Sequence, residues 1–184
     1  ISSGQLWTGL YAYSLQIYGD FSGYTDIARG LALMLGFQTM ENFNAPYFSR
    51  NITEFWRRWH ISLSTWLRDY LYISLGGNRR GSTRTYVNLM TTMLLCGLWH
   101  GAAWSFVLWG LLHGFYLMVH RITLKGNKPR FAWPHTPVGW ATDFLKIFFT
   151  FHLVALGWVL FRSPDLSTAV VYMGGLFNFR ELAN

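Results

Sequence analysis

The stretch from Thr85 to His120, TYVNLMTTMLLCGLWHGAAWSFVLWGLLHGFYLMVH, decides the fold of this protein. Its 36 residues include three histidines but no Lys, Arg, Asp or Glu. Charged side chains are costly in hydrocarbon, so a charge-free run of this length indicates burial in a membrane. As one straight helix it would extend about 54 Å, well beyond the ~30 Å hydrocarbon core of a bilayer. We therefore expect two embedded pieces with a break at Gly101.

This break would place His100 beside a bend at membrane depth, between Trp99 and a Gly-Ala-Ala sequence. An ionisable residue inside a membrane segment is by default a candidate for function. Cys96 lies in the same run and is the only cysteine of the sequence, so it cannot form an internal disulfide. We expect it to be a small buried residue.

The composition agrees with a membrane protein. Hydrophobic residues make up 52% of the sequence and charged residues only 12%, whereas a soluble domain has about 25% charged residues. Ten Trp and ten Tyr suit aromatic belts at the two membrane interfaces. The net charge of +7 is carried by short basic segments on either side of the central run, over 79–84 and 121–130. By the positive-inside rule both would be cytoplasmic, and we expect no nucleic-acid partner.

Four apolar segments are candidate membrane spans, at about 6–37, 85–99, 102–120 and 140–161. The first is interrupted by Gly19-Asp20-Phe21-Ser22-Gly23, where we predict that two helical pieces meet. Asp26 and Arg29 lie three residues apart, so they share a helix face and can form an ion pair. A basic, proline-bearing loop over 122–139 precedes the last span, which Pro164 ends.

The segment from about 53 to 75 has aromatic and apolar residues at helical spacing, with Thr53 as a plausible N-cap. Its charged residues argue against continuous burial in lipid. An amphipathic helix at the interface or against the mouth of the bundle is expected, ending at Gly76-Gly77-Asn78. We thus predict one all-α membrane domain over residues 1–184, a polytopic bundle with broken or re-entrant helices. Its abrupt start without Met indicates a fragment of a longer protein.

The sequence lacks the common catalytic and metal-binding motifs. There is no G-x-S-x-G elbow, no H-E-x-x-H, no cysteine pair and no Walker motif, so we expect no metal site. A histidine can act as a general base near neutral pH, because its unperturbed pKa is near 6.5. The groups available for chemistry are three histidines with three aspartates as possible partners: His60, His100, His113, Asp20, Asp26 and Asp69.

The residues by themselves indicate a polytopic membrane protein with a histidine-lined polar site, and they leave several functions open. A transporter or channel also uses broken helices and buried polar groups. An electron carrier would bind haem through His100 and either His113 or His152. A non-catalytic assembly subunit is the third alternative, in which His100 serves partner binding.

Two segments in combination closely resemble the membrane-bound O-acyltransferase family: FWRRWHISLSTWLRDYLYISLGGNR at 55–79 and LWHGAAWSFVLWGLLHG at 98–114. The segments QIYGDFSGYTDIARGLALMLGF and ENFNAPYFSRNITEFW, at 16–37 and 41–56, are similar to its bacterial polysaccharide branch, typified by alginate O-acetyltransferases. The similarity covers roughly residues 5–162. The family's N-terminal spans and further C-terminal helices are absent, so the resemblance implies a C-terminal-half fragment of the family's core.

The resemblance also implies residue roles. The family's catalytic histidine falls on His100, which we expect to be the general base, and its second conserved histidine falls on His60, which would orient the substrate or His100. Several neighbours would line the pocket, namely Trp59, Asp69, Trp99, Trp104 and His113. Four arginines would attract the phosphates of a coenzyme A donor: Arg57, Arg58, Arg79 and Arg80.

The implied reaction moves an acetyl or other acyl group from a thioester such as acetyl-CoA, with no bound cofactor, toward hydroxyls of an exopolysaccharide such as alginate. The implied location is the bacterial inner membrane, as a multi-pass protein in the lipid bilayer. The implied partner is a periplasmic acetyltransferase that modifies the polymer.

Overall fold

The computed structural model describes residues 1–124 and 136–178. Within these residues the fold is helical and has no strand. The seven α-helices are α1 Ser3–Met34, α2 Ile52–Arg58, α3 Ile61–Trp66, α4 Gly81–His100, α5 Trp104–Thr123, α6 Pro137–Arg162 and α7 Leu166–Leu176. Two further turns are a 3₁₀ turn at Pro46–Phe48 and a π-helical segment at Leu67–Tyr72. Most of the predicted loop over 122–139 lies outside the described residues.

The membrane assignment is only partly supported by the helices. Among the described helices, α6 is the one long and apolar enough to cross a membrane by length and composition, and one such helix is weak evidence. The helix α1 carries Asp20, Asp26 and Arg29, and α4 carries several hydroxyl and amide side chains. The all-helical prediction is confirmed for the described residues, whereas the four-span arrangement is not.

The predicted break beside His100 is confirmed. Helix α4 ends at His100, and α5 begins at Trp104. The two helices return against each other with their backbones in close contact, because a Cβ on Gly97 would lie only 2.2 Å from the backbone oxygen of Phe106. Gly110 faces Gly97 across this contact, and Gly114 follows four residues later against Met90. This small-residue stripe is the usual device for close helix packing in membranes.

The predicted break in the first segment is wrong. Helix α1 runs without interruption from Ser3 to Met34. Gly19 and Gly23 lie inside it, in open space where a Cβ would meet nothing within 4 Å. Each glycine costs a helix only about 1 kcal/mol relative to Ala, which a helix of this length tolerates. The predicted pairing of Asp26 with Arg29 is present, at 3.7 Å.

The predicted continuous helix over 53–75 is also wrong. Helix α2 ends at Arg58, and His60 takes a left-handed conformation with φ of 44° before α3 begins. Asn51, not Thr53, caps α2, since its side chain accepts the backbone N–H of Glu54. Thr53 instead pairs with His120, with Oγ1 and Nδ1 2.8 Å apart.

The core forms where α2 packs against α5 and α6. Phe55 of α2 and Trp109 of α5 are each 1% exposed, as is Trp158 of α6. Cys96 is fully buried, as predicted. Helix α7 packs against the start of α1, where the carbonyl of Leu176 accepts hydrogen bonds from both Ser3 and Trp7. Short helix α2 is therefore a central element of the bundle and not a surface attachment.

Candidate active site

The two histidines singled out from the sequence line one cavity of about 420 Å³. His100 stands at the last residue of α4, and His60 stands at the turn between α2 and α3. The walls are mainly aromatic side chains from five elements, among them Phe21, Trp56, Trp59, Trp99, Trp109, Trp158 and Phe161. We call this space the histidine cavity. The two imidazoles therefore face a mainly apolar space.

Aromatic edges fix the His100 ring. It packs nearly perpendicular to Trp109 and Phe161, with ring centroids 5.3 and 5.0 Å away. Trp99, the preceding residue, lies 4.9 Å from the same ring. Gly101 is needed at the break, because a Cβ there would lie 2.8 Å from the ring of Phe106. His100 is thus held in position by packing, and no described residue makes a hydrogen bond to its ring nitrogens.

The turn that carries His60 is built by a remote loop. The carbonyl of Asn42 accepts the backbone N–H of Ile61 at 3.0 Å. The Asn42 side-chain oxygen accepts both the backbone N–H and the hydroxyl of Ser62, at 3.1 and 2.6 Å. His60 itself offers no side-chain cap to α3, so Asn42 supplies the missing acceptors. This loop holds the left-handed turn that points the imidazole of His60 into the cavity.

The surroundings of His60 keep its ring neutral. Phe21 packs against it at 4.8 Å, and Trp99 lies at 6.4 Å. Burial lowers the pKa of His60 below its usual value of 6.5, so the neutral ring dominates at pH 7 and can both donate and accept a hydrogen bond. Trp99 contacts both imidazoles, with ring centroids 6.4 Å from His60 and 4.9 Å from His100. Among the described residues there is no hydrogen bond between them.

Three residues expected in the pocket lie elsewhere. Trp104 is 74% exposed. His113 is fully buried among Phe55, Trp56 and Trp109 and does not line the cavity. Asp69 is paired with its neighbour in sequence on the surface. Trp59 and Trp99 do line the cavity, as expected.

Helix α1 contributes polar groups to the cavity that the sequence interpretation partly missed. Asp20 was considered as a histidine partner and lines the wall, together with Tyr13, Gln16 and Ile17. These four positions lie three, one and three residues apart, which is one face of an unbroken helix. Because a break was predicted at Gly19 to Gly23, these residues were not expected to share one helix face.

A second cavity of about 430 Å³ lies on the other side of α2. Its wall includes Arg57, Arg68 and Arg121, with several hydroxyl groups and Tyr72; we call it the arginine cavity. Arg68 is engaged by Asp69 at 2.7 Å. Arg57 and Arg121 have no ion-pair partner within residues 1–124 and 136–178.

Of the four arginines expected to meet donor phosphates, only Arg57 lines the arginine cavity. Arg58 forms an ion pair with Glu54 at 2.7 Å. Arg79 and Arg80 are exposed in the turn before α4 and outside this wall. Arg121 was missed, because the end of α5 is distant in sequence from α2.

The contacts of the histidines do not favour the electron-carrier alternative, in which two of them bind haem. Both ring nitrogens of His152 are engaged, Nε2 with the Tyr11 hydroxyl at 2.9 Å and Nδ1 with the Phe148 carbonyl oxygen at 2.7 Å. The ring of Trp109 packs against both His100 and His113, with ring centroids 5.3 and 5.0 Å away.

Within the described residues the protein is all-helical and holds two histidines in an aromatic cavity, beside a second cavity whose wall includes three arginines. The family follows from sequence comparison: residues 3–161 match the family described as MBOAT, membrane-bound O-acyltransferase family. The chain belongs to this family, which confirms the resemblance, and it is a membrane protein.

Several curated relatives carry names for acyl transfer to polymers. The chain is 55% identical over 181 residues to a probable alginate O-acetylase AlgI of Pseudomonas putida, covering 98% of this chain and 35% of the relative. It is 43% identical over 173 residues to a peptidoglycan O-acetyltransferase of Helicobacter pylori, covering 94% and 31%. It is 35% identical over 163 residues to a teichoic acid D-alanyltransferase of Bacillus subtilis, covering 84% and 40%. The chain thus spans about a third of the length of these relatives.

Proposed function

We propose that the protein is an O-acyltransferase that moves an acetyl or related acyl group toward hydroxyls of an exopolysaccharide such as alginate. The observation that carries the proposal is the meeting of His60 and His100 in one aromatic cavity. Family membership and the names of the relatives, all of which describe acyl transfer to a polymer, support the same chemistry.

In this proposal His100 is the general base. The acceptor hydroxyl loses its proton to the neutral imidazole while its oxygen attacks the acyl carbonyl. The carbon–sulfur bond of the thioester then breaks, and the thiolate takes the proton from His100. General-base catalysis of this kind contributes about 10²–10⁴-fold in rate. His60 would orient the acceptor or the acyl carbonyl through its neutral ring.

The arginine cavity supports a phosphate-bearing donor such as acetyl-CoA or another acyl thioester. Arg57 and Arg121 offer guanidinium groups without an ion-pair partner among the described residues, and guanidinium binds phosphate with two parallel hydrogen bonds. The hydroxyl of Thr65 adds a neutral donor to the same wall. The donor would lie on one side of α2 while its acyl group reaches the histidine cavity on the other.

We further infer a multi-pass location in the bacterial inner membrane and cooperation with a periplasmic acetyltransferase that modifies the polymer. Long helices with exposed apolar faces support embedding in lipid: Leu15, Ile27, Leu31 and Leu33 of α1 are each more than half exposed, as are Phe144 and Phe149 of α6. The 55% identity to a probable alginate O-acetylase supports the choice of alginate as the acceptor polymer.

The test compares polymer acetylation in cells that make the wild-type protein, His100→Ala or His152→Ala. Each substitution is made in the protein as the cell produces it. His152 is a matched control, since it lies outside the histidine cavity. His100→Ala should lose acetylation at an unchanged membrane level, while His152→Ala keeps it. Undiminished acetylation in His100→Ala would reject the base assignment and favour the transporter or assembly-subunit alternative.

A further inference from the structure

Trp56 stands in a wall that two cavities share. It lines the histidine cavity and the arginine cavity, and it is the only residue among those of the described chain that lines both. Its ring comes from α2, the short central helix between the two spaces. The indole therefore lies at the boundary between the two cavities.

Packing alone fixes the Trp56 ring. It packs edge-on against Trp109 at 5.8 Å and His113 at 5.2 Å, both on α5, and against Phe55 of α2 at 5.7 Å. Its indole nitrogen makes no hydrogen bond within the described residues. Displacing the ring therefore costs van der Waals contacts but breaks no hydrogen bond, which is what a movable partition needs.

We propose that Trp56 is the partition between donor and acceptor sides and that it determines whether the acyl group goes to a hydroxyl or to water. The inference rests on the proposed function. A donor with its phosphates at Arg57 and Arg121 has to bring its thioester carbon past the indole to His100. The ring packs along the donor arm when the arm is bound and closes the gap when it is not.

The competing reaction defines what the partition prevents. Water in the histidine cavity would lose a proton to His100 and attack the thioester carbonyl. The carbon–sulfur bond would break, giving a carboxylic acid and a free thiol that takes up that proton. The histidine cavity is lined mainly by aromatic side chains, whereas the wall of the arginine cavity includes three arginines and several hydroxyl groups. An opening at position 56 would connect the two cavities and admit water to His100.

The experiment measures thiol release from acetyl-CoA without acceptor and acetyl transfer with acceptor, in native membranes that contain the protein as the cell makes it. Trp56→Ala should raise the ratio of hydrolysis to transfer about tenfold or more, and Trp56→Phe, which keeps an aromatic ring, should raise it much less. Trp66→Ala is the matched control, because Trp66 is 55% exposed and lines neither cavity. Adding His100→Ala to Trp56→Ala should return thiol release to background, which places the hydrolysis in this site.

An unchanged ratio in Trp56→Ala at wild-type membrane level overturns the inference. If that variant is poorly produced, Trp56→Leu replaces it with a side chain that fills part of the space, and an unchanged ratio there has the same meaning. Hydrolysis that persists in the double variant also overturns it. A wild type that transfers nothing from acetyl-CoA is a different result, because it contradicts the proposed function and its donor.

Discussion

Gly97→Ala should push α4 and α5 apart. A Cβ at position 97 would lie 2.2 Å from the backbone oxygen of Phe106 and 3.3 Å from the Cα of Gly110. Real Cβ atoms essentially never approach another atom within 3.0 Å, so this contact must lengthen by about 0.8 Å, from 2.2 to 3.0 Å, at least. The opposing atom belongs to the backbone, so no side-chain rotation can relieve the clash.

Moving α4 away from α5 would also displace His100. His100 follows Gly97 by three residues, nearly one helical turn, and its ring packs against Trp109 of the opposite helix at 5.3 Å. A misplacement of about 1 Å at a reacting group can lower the rate about 10²-fold. Overpacking costs roughly 1–3 kcal/mol, and the higher helix propensity of Ala returns only about 1 kcal/mol. We therefore expect a loss of activity larger than the loss of stability would explain.

The assay is kcat/KM for acetyl transfer in membranes at matched protein level, with the thermal unfolding midpoint in detergent as the stability measure. Gly19→Ala in α1 is the matched control, since a Cβ there meets nothing within 4 Å; it should leave activity unchanged. Gly97→Ala at the wild-type rate would refute the argument that the helix contact positions His100. An equally harmful Gly19→Ala would show that any added methyl group damages this bundle.

Three other substitutions test separate parts of the structure. Asp143→Ala should destabilise the fold on the order of 1–3 kcal/mol, because it leaves the largely buried guanidinium of Arg50, 13% exposed, without its shortest ion-pair contact; chemical unfolding in detergent measures this, and an unchanged midpoint contradicts it. Arg121→Gln should raise KM for acetyl-CoA about tenfold, equivalent to about 1.4 kcal/mol of lost phosphate binding, while Arg79→Gln, outside the arginine cavity, should not. Equal effects of the two substitutions would indicate that these arginines serve membrane orientation and not donor binding. Asn42→Ala should lower kcat more than it raises KM, because the turn before α3 loses the two hydrogen bonds that Ser62 donates to the Asn42 side chain. A lower unfolding midpoint with unchanged kcat would count against this positioning role.

Local rules found some of this structure because the causes were local. A charge-free run longer than the bilayer core must break somewhere, and Gly101 is where it breaks. The same reasoning failed at Gly19 and Gly23, since two glycines and a polar Ser do not stop a helix that continues on both sides. Whether glycine ends a helix depends on what surrounds it, and the sequence does not state that.

The site was predictable where the family motifs carried it and not elsewhere. His60 and His100 came from those motifs, but the turn that presents His60 did not, since the aromatic periodicity of the segment runs through it without interruption. That turn depends on Asn42, which is eighteen residues earlier. Arg121 reaches the same cavity as Arg57 only through the packing of α5 on α2. Contacts between distant segments are set by tertiary packing, which no local pattern encodes.

The hydrogen bonds that Ser3 and Trp7 donate to the carbonyl of Leu176 have a consequence for the order of assembly. Ser3 and Leu176 are 173 residues apart, so nearly the whole described chain must be synthesised before the first turn of α1 finds its acceptor. The entropy of closing so long a loop grows only slowly with its length, so the burden lies in waiting time more than in free energy. Until α7 leaves the ribosome, the start of α1 lacks this acceptor, so the contact between α1 and α7 forms late in synthesis of the described residues.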